Sequence, residues 1–246
     1  MKRKVNIMPM AGDGKRFKDS GYKIIKPLIK KKEIEIFIHS AKSLPEADFW
    51  IFIIRKEHNI NGVFEKIIKK YFKNYKIILT AKKTEGQASS CLLAKRYLRF
   101  DDSISVCSCD IKFKINKIKY YNLLRNSDAV IFTTNQNKIA IKNPHQFGWV
   151  KIRSNKIKNI TCKKKASTEP RKDLVIIGAF GFKNKNIFLN SIDNIIKKNI
   201  RINNEFYLDI VIRNMFKSNF KISNLMVKNF SSFGTPIELE NSYLDD

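Results

Sequence analysis

The sequence predicts an α/β fold in which a mostly parallel mixed sheet is flanked by helices. Short runs of β-branched and aromatic residues alternate with stretches whose apolar residues recur every three to four positions, the pattern of alternating strands and helices. Residues 49–54 are apolar at every position, as expected of a strand that helices cover on both faces. With 246 residues, the chain is long enough to bury a sizeable core.

The first half of the chain shows this alternation most regularly. Val63, Ile67 and Tyr71, for example, are spaced to lie on one face of a helix, whereas the strands are short apolar runs. The first strand is followed by a glycine-bearing loop at residues 11–17, and such punctuation marks the end of an element. Strands are predicted at residues 5–8, 49–54, 75–79 and 104–107, and helices at 35–44, 61–72 and 87–97.

The second half is less regular but continues the same architecture. A Ser154-Asn155 turn joins two predicted strands into a hairpin. Neither an internal repeat nor a proline-rich linker divides the chain, so one domain is predicted over residues 1–246, with a second, smaller lobe inserted after about residue 110. Strands are predicted at residues 129–133, 148–153, 156–162, 174–182 and 225–227, and helices at 184–196 and 204–216.

The formal net charge of +27 suggests nucleic-acid binding if it is taken alone. Lysines are spread through almost every segment, however, and the basic runs at residues 30–32 and 163–165 are short. Neither run is interleaved with the aromatic residues that stack on bases. We therefore expect no specific nucleic-acid partner, although such a surface attracts small phosphorylated molecules.

The cysteines and the N-terminus favour a cytoplasmic protein. Cys91, Cys107, Cys109 and Cys162 lack the spacing of a zinc site, and four cysteines in a chain of this length do not indicate a disulfide framework. The basic N-terminus is followed by an apolar run at residues 5–10 that is too short for a signal peptide or a membrane span. We expect free thiols and no membrane span.

The loop after the first strand has the composition of an anion-binding site. Gly12 and Gly14 allow backbone amides to approach an anion, and Lys15 and Arg16 add positive charge. The spacing fits neither a Walker A loop nor the dinucleotide-binding fingerprint, whose third glycine is replaced by Phe17. A phosphate-binding loop and a plain turn therefore both remain open.

The combination of this loop with Lys26-Pro27-Leu28 resembles the sugar-phosphate nucleotidyltransferases. In that family the first strand leads into a G-x-G-[ST]-R-[LF] loop, which is followed by P-K-P-L. Lys15, Ile25 and Cys162 depart from the family's residues. Further similar segments occur in the family's order along nearly the whole chain, at residues 52–58, 84–88, 110, 162–163, 178, 205–209 and 234–236.

The resemblance implies a Rossmann-like fold, similar to that of the GT-A enzymes, with a nucleotide-binding lobe at about 1–110, an acceptor-binding lobe at about 111–182 and closing helices and a strand at 183–246. It implies that the phosphate of a small acceptor attacks the α-phosphorus of a nucleoside triphosphate and that pyrophosphate is released, with Mg²⁺ as cofactor. A pyrimidine nucleotide (CTP, UTP or dTTP), a sugar 1-phosphate acceptor and a role in capsule or lipopolysaccharide biosynthesis are the expectations. The resemblance also allows a homodimer.

The departures at Ile25 and Cys162 leave a second acceptor class open. Phosphocholine or a phosphorylated amino acid would replace the sugar phosphate in that case. Outside this reaction, the alternatives are a nucleic-acid-binding protein, a non-catalytic nucleotide sensor and a glycosyltransferase. The presence of Arg16, Lys26 and Asp110 argues against a sensor. The Gly12–Phe17 loop and Lys26-Pro27 argue against a glycosyltransferase.

The resemblance also assigns roles to individual residues. Since both reactants are polyanions, cations are required on both sides of the bond that forms. Each residue has a structural alternative: Asp110 as a turn residue, Lys164 in place of Lys163 and Trp149 as part of the core. The implied roles are catalysis by Arg16, Lys26 and Lys163; nucleotide binding by Met10, Ala11, Gly12, Asp13, Gly14, Lys15, Arg16, Gly86 and Gln87; acceptor binding by Lys163, Trp149 and Gly178; and Mg²⁺ binding by Asp110 and Asp209.

Overall fold

The computed structural model describes residues 2–136 and 138–242. The strands are β1 (Lys4–Met10), β2 (Lys30–Lys31), β3 (Ile34–Glu35), β4 (Phe49–Arg55), β5 (Tyr75–Thr80), β6 (Ser103–Cys107), β7 (Ile111–Lys114), β8 (Ala129–Thr134), β9 (Gly148–Arg153), β10 (Lys156–Cys162), β11 (Leu174–Phe182), β12 (Ile222–Met226) and β13 (Lys228–Ser232). The helices are α1 (Lys15–Asp19), α2 (Ile36–Ser43), α3 (Val63–Tyr71), α4 (Gln87–Leu92), α5 (Lys117–Arg125), α6 (Lys138–Lys142), α7 (Lys185–Lys197), α8 (Leu208–Lys217) and α9 (Pro236–Glu240).

The large sheet has the strand order β10-β9-β11-β6-β1-β4-β5, and β8 joins β11 to β12. Strands β6, β1, β4 and β5 run parallel, whereas β11 runs antiparallel to its neighbours β6, β8 and β9. The predicted mixed sheet with helices on its faces is therefore confirmed. Since β1 and β6 are adjacent and parallel, the loops that follow them meet at one edge of the sheet, where ligands bind in open α/β sheets.

Apolar clusters cover both faces of the sheet. Ile51 and Ile53 of β4 pack in the cluster that also contains side chains of α4, α7 and α8. Phe52 and Ile54 point the other way, into the cluster formed with α2, α3 and α5. Successive side chains of a strand alternate between faces, so a strand buried on both faces is apolar at every position. The uninterrupted apolar run at residues 49–54 has this physical cause.

Two predicted helices are wrong at their boundaries. The helix predicted at residues 204–216 begins only at Leu208, because Asn203 and Asn204 adopt left-handed backbone conformations and the Phe206 N–H donates to the Glu85 carbonyl at 2.7 Å. The helix predicted at residues 87–97 is α-helical only over Gln87–Leu92 and is followed by a short 3₁₀ turn. In the first case the contact with Glu85 outweighs the local helical pattern.

Several short elements were not predicted. β7 pairs with β13 across more than a hundred residues of sequence, and α5 lies between β7 and β8, capped by the Asn116 side chain. The short helices α1 and α6 were also missed. Residues 111–182 supply β8 to β11 to the same sheet as the first 110 residues. Within the described part of the chain, no helix has the length and apolar character that crossing a membrane requires.

Candidate active site

A cleft with a volume of about 390 Å³ opens at the edge of the sheet where β1 and β6 end. It collects residues from the loop after β1, the segment before α4, the loop after β6, the β9–β11 region, the start of α8 and the C-terminal segment. The predicted site residues that line it are Met10, Ala11, Gly12, Gly14, Arg16, Lys26, Gly86, Gln87, Asp110, Lys163, Gly178 and Asp209. These predicted residues alone lie up to 199 positions apart in sequence, from Met10 to Asp209.

The loop after β1 is shaped by Gly14, which has a φ of 62° and forms the N-cap of α1. A Cβ atom at this position would lie 3.1 Å from the Cβ atom of Lys26, so glycine is needed both for the left-handed backbone and for the close approach. Helical hydrogen bonding begins with the Phe17 N–H, which donates to the Gly14 carbonyl at 3.0 Å. Arg16 is exposed and lines the same cleft as Gly12 and Gly14, so backbone amides and a guanidinium are both available to an anion there.

Lys26 and Asp110 form the central ion pair of the cleft. The Lys26 Nζ atom lies 2.5 Å from the Asp110 Oδ2 atom, and only 14% and 25% of the two side chains are exposed. Lys26 also donates to the Gly234 carbonyl at 3.2 Å, and the Phe233 N–H donates to the Asp110 carbonyl at 2.7 Å. The C-terminal segment thus closes around the pair and holds an ammonium and a carboxylate at the base of the cleft.

Lys163 and Asp209 contribute a second pair of opposite charges. The Lys163 Nζ atom donates to the Gln146 carbonyl at 2.7 Å and lies 4.7 Å from the centre of the Tyr207 ring. Burial raises the pKa of Asp209 to about 6, although the nearby charge of Lys163 and a hydrogen bond from the Cys162 thiol both act to lower it. Lys163 and Asp209 thus place an ammonium and a carboxyl group in the same cleft.

The segment before α4 is held in place by backbone contacts. Gly86 has a φ of 113°, and a Cβ atom there would lie 2.7 Å from the backbone nitrogen of Phe206. The Gln87 Nε2 atom donates to the Ser108 hydroxyl at 3.1 Å, and the Ser108 N–H donates to the Gly178 carbonyl at 3.0 Å. The Gln87 amide is thus oriented by the protein, and its oxygen is left to accept a hydrogen bond.

Three predicted site residues do not line this cleft. Trp149, expected to border the acceptor, is fully buried in a small apolar cluster that includes Val175, so the structure places it in the core. Asp13 forms ion pairs with Arg55 and with Lys83, the latter at 2.8 Å, and these cations, with Lys83 dominant, lower its pKa. Its carboxylate therefore anchors the loop. Lys15 is exposed at the start of α1, in the shallow depression beside the cleft.

Several lining residues were missed from the sequence. Lys83 bridges two segments at the mouth of the cleft, because its Nζ atom lies 2.8 Å from Asp13 and 3.7 Å from Glu205. Tyr207, Phe230 and Glu238 also line the cleft. Lys83 follows Lys82 in an exposed loop, which is an ordinary sequence for a lysine-rich surface. Only its position next to the segment at residues 84–88 could have drawn attention to it.

The carboxylates of the cleft are compatible with a Mg²⁺ ion that is bound together with phosphates. Asp110 and Asp209 line the same cleft. Nowhere in residues 2–136 and 138–242 do three or more His, Cys, Asp or Glu side chains form a group that would hold a metal by themselves. Mg²⁺ is usually held by one or two carboxylates, by substrate phosphates and by water, so this donor set fits.

Solved structures with the same fold are sugar-phosphate nucleotidyltransferases and related transferases. The nucleoside-diphosphate-sugar pyrophosphorylase from Vibrio cholerae RC9 aligns with a TM-score of 0.79 at 20% identity over 96% of this chain and 98% of its own. A candidate glucose-1-phosphate thymidylyltransferase from Bacillus anthracis, crystallised with sucrose, aligns with a TM-score of 0.77 at 17% identity over 97% of this chain and 93% of its own. The inositol-1-phosphate CTP transferase from T. maritima aligns with a TM-score of 0.72 at 13% identity over 96% of this chain and 91% of its own.

These alignments cover nearly the whole chain and establish its fold. No protein-family model matches the sequence, and no curated protein shows significant sequence similarity to it. The chain has the fold of the sugar-phosphate nucleotidyltransferases. A fold of this kind hosts more than one chemistry, so the residues of the site, and not the fold, determine the function.

Proposed function

We propose that the protein is a nucleotidyltransferase, which joins the nucleoside monophosphate part of a triphosphate to a small phosphorylated acceptor and releases pyrophosphate. One observation supports this most directly. Gly14, Arg16, Lys26 and Asp110 come from distant parts of the chain and line one cleft, which also contains Lys163 at the end of β10. Cations on two sides of a cleft suit a reaction that brings two polyanions together.

Each cation has a distinct task in this proposal. The loop amides around Gly14 and the planar guanidinium of Arg16 bind the β- and γ-phosphates, which Arg can grip with two parallel hydrogen bonds. Lys26 neutralises the α-phosphate, where negative charge changes most during the in-line displacement. Lys163 holds the attacking phosphate, which is ionised near neutral pH and needs no general base.

Asp110 and Asp209 would hold Mg²⁺, which would neutralise phosphate charge when it is bound. Before substrates bind, Asp110 is occupied by Lys26 at 2.5 Å. The triphosphate offers Lys26 another anionic partner. The ion pair therefore holds both groups in place and leaves neither charge without a partner.

The base of the nucleotide is proposed to be a pyrimidine. Because the Gln87 Nε2 atom donates to Ser108, the Gln87 oxygen remains to accept a hydrogen bond from the base edge. The amino group of cytosine and the N3–H group of uracil or thymine both offer such a donor. Adenine and guanine carry donors as well, so the proposal of CTP, UTP or dTTP is based on the resemblance to the sugar-phosphate nucleotidyltransferases and not on Gln87.

The acceptor is proposed to be a sugar 1-phosphate used for surface polysaccharide. A non-sugar phosphate such as phosphocholine or a phosphorylated amino acid is the alternative. Proteins with this fold include a CTP transferase for inositol 1-phosphate as well as a pyrophosphorylase for nucleoside-diphosphate sugars. We further propose that the enzyme acts in the cytoplasm, where nucleoside triphosphates are made, and that it forms a homodimer.

The test is a matrix of nucleoside triphosphates against phosphorylated acceptors, with Mg²⁺, in which pyrophosphate release is measured. One nucleotide is expected to react strongly. Arg16→Ala and Asp110→Asn are each expected to lower the rate at least ~100-fold, since each removes a group that acts on phosphate charge. Lys18→Ala and Asp101→Asn change exposed residues away from the cleft and are the matched controls. Near-wild-type rates for both active-site variants would remove the assignment of the site.

A basic nucleic-acid-binding protein is the rival class, and the net charge of +27 is the observation that favours it. That function predicts steeply salt-dependent retention on DNA or RNA and no turnover of any nucleotide. The rival is favoured over the proposed reaction if Arg16→Ala is still retained on DNA or RNA and no pair of nucleoside triphosphate and acceptor releases pyrophosphate.

A further inference from the structure

The Asp209 carboxylate lies directly against the backbone of Gly148. A Cβ atom built at Gly148 would be 2.5 Å from the Asp209 Oδ2 atom, 2.8 Å from its Cγ atom and 3.0 Å from the Cδ1 atom of Ile176. Atoms that are not bonded to each other do not approach this closely without strain. The φ angle of Gly148 is not positive, so any residue could adopt its backbone conformation. Glycine is required here because there is no space for a side chain.

The strands beside Gly148 complete the surroundings of this carboxylate. In the sheet register, Gly148 of β9 lies opposite Cys162 of β10 on one side and Ile176 of β11 on the other. The Cys162 thiol lies close enough to the Asp209 carboxylate to hydrogen-bond to it. In this contact the thiol S–H is the donor and a carboxylate oxygen is the acceptor. Lys163, the next residue, turns its side chain into the cleft.

We infer that Gly148 and Cys162 are positioning residues that together set the location of the Asp209 carboxylate in the acceptor half of the cleft. Gly148 supplies the space into which the carboxylate fits, and Cys162 supplies the hydrogen bond that orients it. This inference rests on the proposed nucleotidyl transfer. A misplacement of about 1 Å at a reacting centre can lower a rate about 100-fold, so both residues act on catalysis through the position of Asp209.

The expected effects are confined to one half of the cleft. Gly148→Ala pushes the carboxylate away, and Cys162→Ala removes its hydrogen-bond donor. Each is expected to lower kcat/KM for the acceptor at least ~10-fold. The dissociation constant of the nucleoside triphosphate, measured with EDTA, is expected to change less than about twofold, because the loop at Gly14 and Arg16 is untouched. Cys162→Ser keeps a donor and is expected to recover most of the activity.

Two control variants separate positioning from loss of packing. Cys91→Ala removes another fully buried thiol, one that belongs to the apolar core. Gly181→Ala creates a clash of similar size, since its Cβ atom would lie 2.6 Å from the Tyr120 hydroxyl, which is also outside the cleft. Both controls are expected to lower stability and to leave kcat/KM for the acceptor within about twofold of wild type. Equal losses of kcat/KM in the controls would overturn the inference, as would failure of Cys162→Ser to exceed Cys162→Ala.

A readout without turnover distinguishes this inference from the proposed function. Crystal structures of the wild-type protein and of Gly148→Ala are compared for the position of the Asp209 carboxylate. A displacement of about 1 Å or more supports the positioning role even if every nucleotide and acceptor pair is inactive, in which case only the proposed function fails. A carboxylate that stays in place in Gly148→Ala, in a protein that is active in the matrix, overturns the positioning role alone. If Gly148→Ala does not fold, the structures of Cys162→Ala and Cys162→Ser decide by the same criterion.

Discussion

The Asp209 carboxyl group leads to a specific prediction for stability as a function of pH in the metal-free protein. Its pKa rises from the usual value of 3.8 to about 6, mainly because burial removes water from the charged form. The folded state therefore holds this proton more tightly than the unfolded state does. Ionisation of Asp209 then costs stability: the cost is absent below about pH 4, grows between about pH 4 and 6 and is fully present above that range.

The size of this cost follows from the difference of about two between the two pKa values. At about 1.4 kcal/mol for each whole pKa unit, the upper limit is about 3 kcal/mol. Asp209 keeps some solvent exposure, which screens the charge and reduces the expected value to about 1–3 kcal/mol. Asp209→Asn removes the ionisation and keeps nearly the same shape. At pH 8 its free energy of unfolding should therefore exceed that of the wild type by this amount, whereas near pH 4 the two should agree.

The assay is urea unfolding in EDTA at several pH values between 4 and 8, with Asp101→Asn as the control for loss of an exposed carboxylate. If the free energies of unfolding of Asp209→Asn and the wild type differ by the same amount at pH 4 and at pH 8, the reasoning is refuted. The same variant is expected to lose activity if Asp209 acts in the cleft. A gain in stability with a loss of activity is the usual consequence of a strained functional group.

Three further predictions concern groups at fixed positions in the fold. Gly86→Ala, whose Cβ atom would meet the Phe206 backbone at 2.7 Å, should lose more than about 1 kcal/mol of stability and weaken nucleotide binding; unchanged affinity by calorimetry would contradict this. Asp102→Asn leaves Arg3 without its fully buried partner and should cost about 3–5 kcal/mol in urea unfolding, and a cost below about 1 kcal/mol would refute it. Trp149→Phe should lower the free energy of unfolding by about 1–3 kcal/mol and leave the KM for the acceptor unchanged. A raised KM would indicate that Trp149 does contact the acceptor.

Elements with a strong periodic pattern were predicted correctly because their cause is local. The spacing of apolar residues indicates which faces are buried in the strand at residues 49–54 and in the helix Val63–Tyr71. The pairing of β7 with β13 has no such signal, since two short strands far apart in sequence become visible only when they meet. Local patterns therefore account for the layers of the fold and leave its short closing elements undetermined.

The sequence by itself determined which residues are equipped to bind phosphate, since the glycine spacing and the cations at Arg16 and Lys26 are local chemical facts. Only the tertiary structure decided what these groups face. It paired Lys26 with Asp110, turned Asp13 towards Arg55 and Lys83, and buried Trp149. The physical reason is that a side chain's chemistry is a property of its residue, whereas its burial and its charged partners depend on chain segments that only folding brings together.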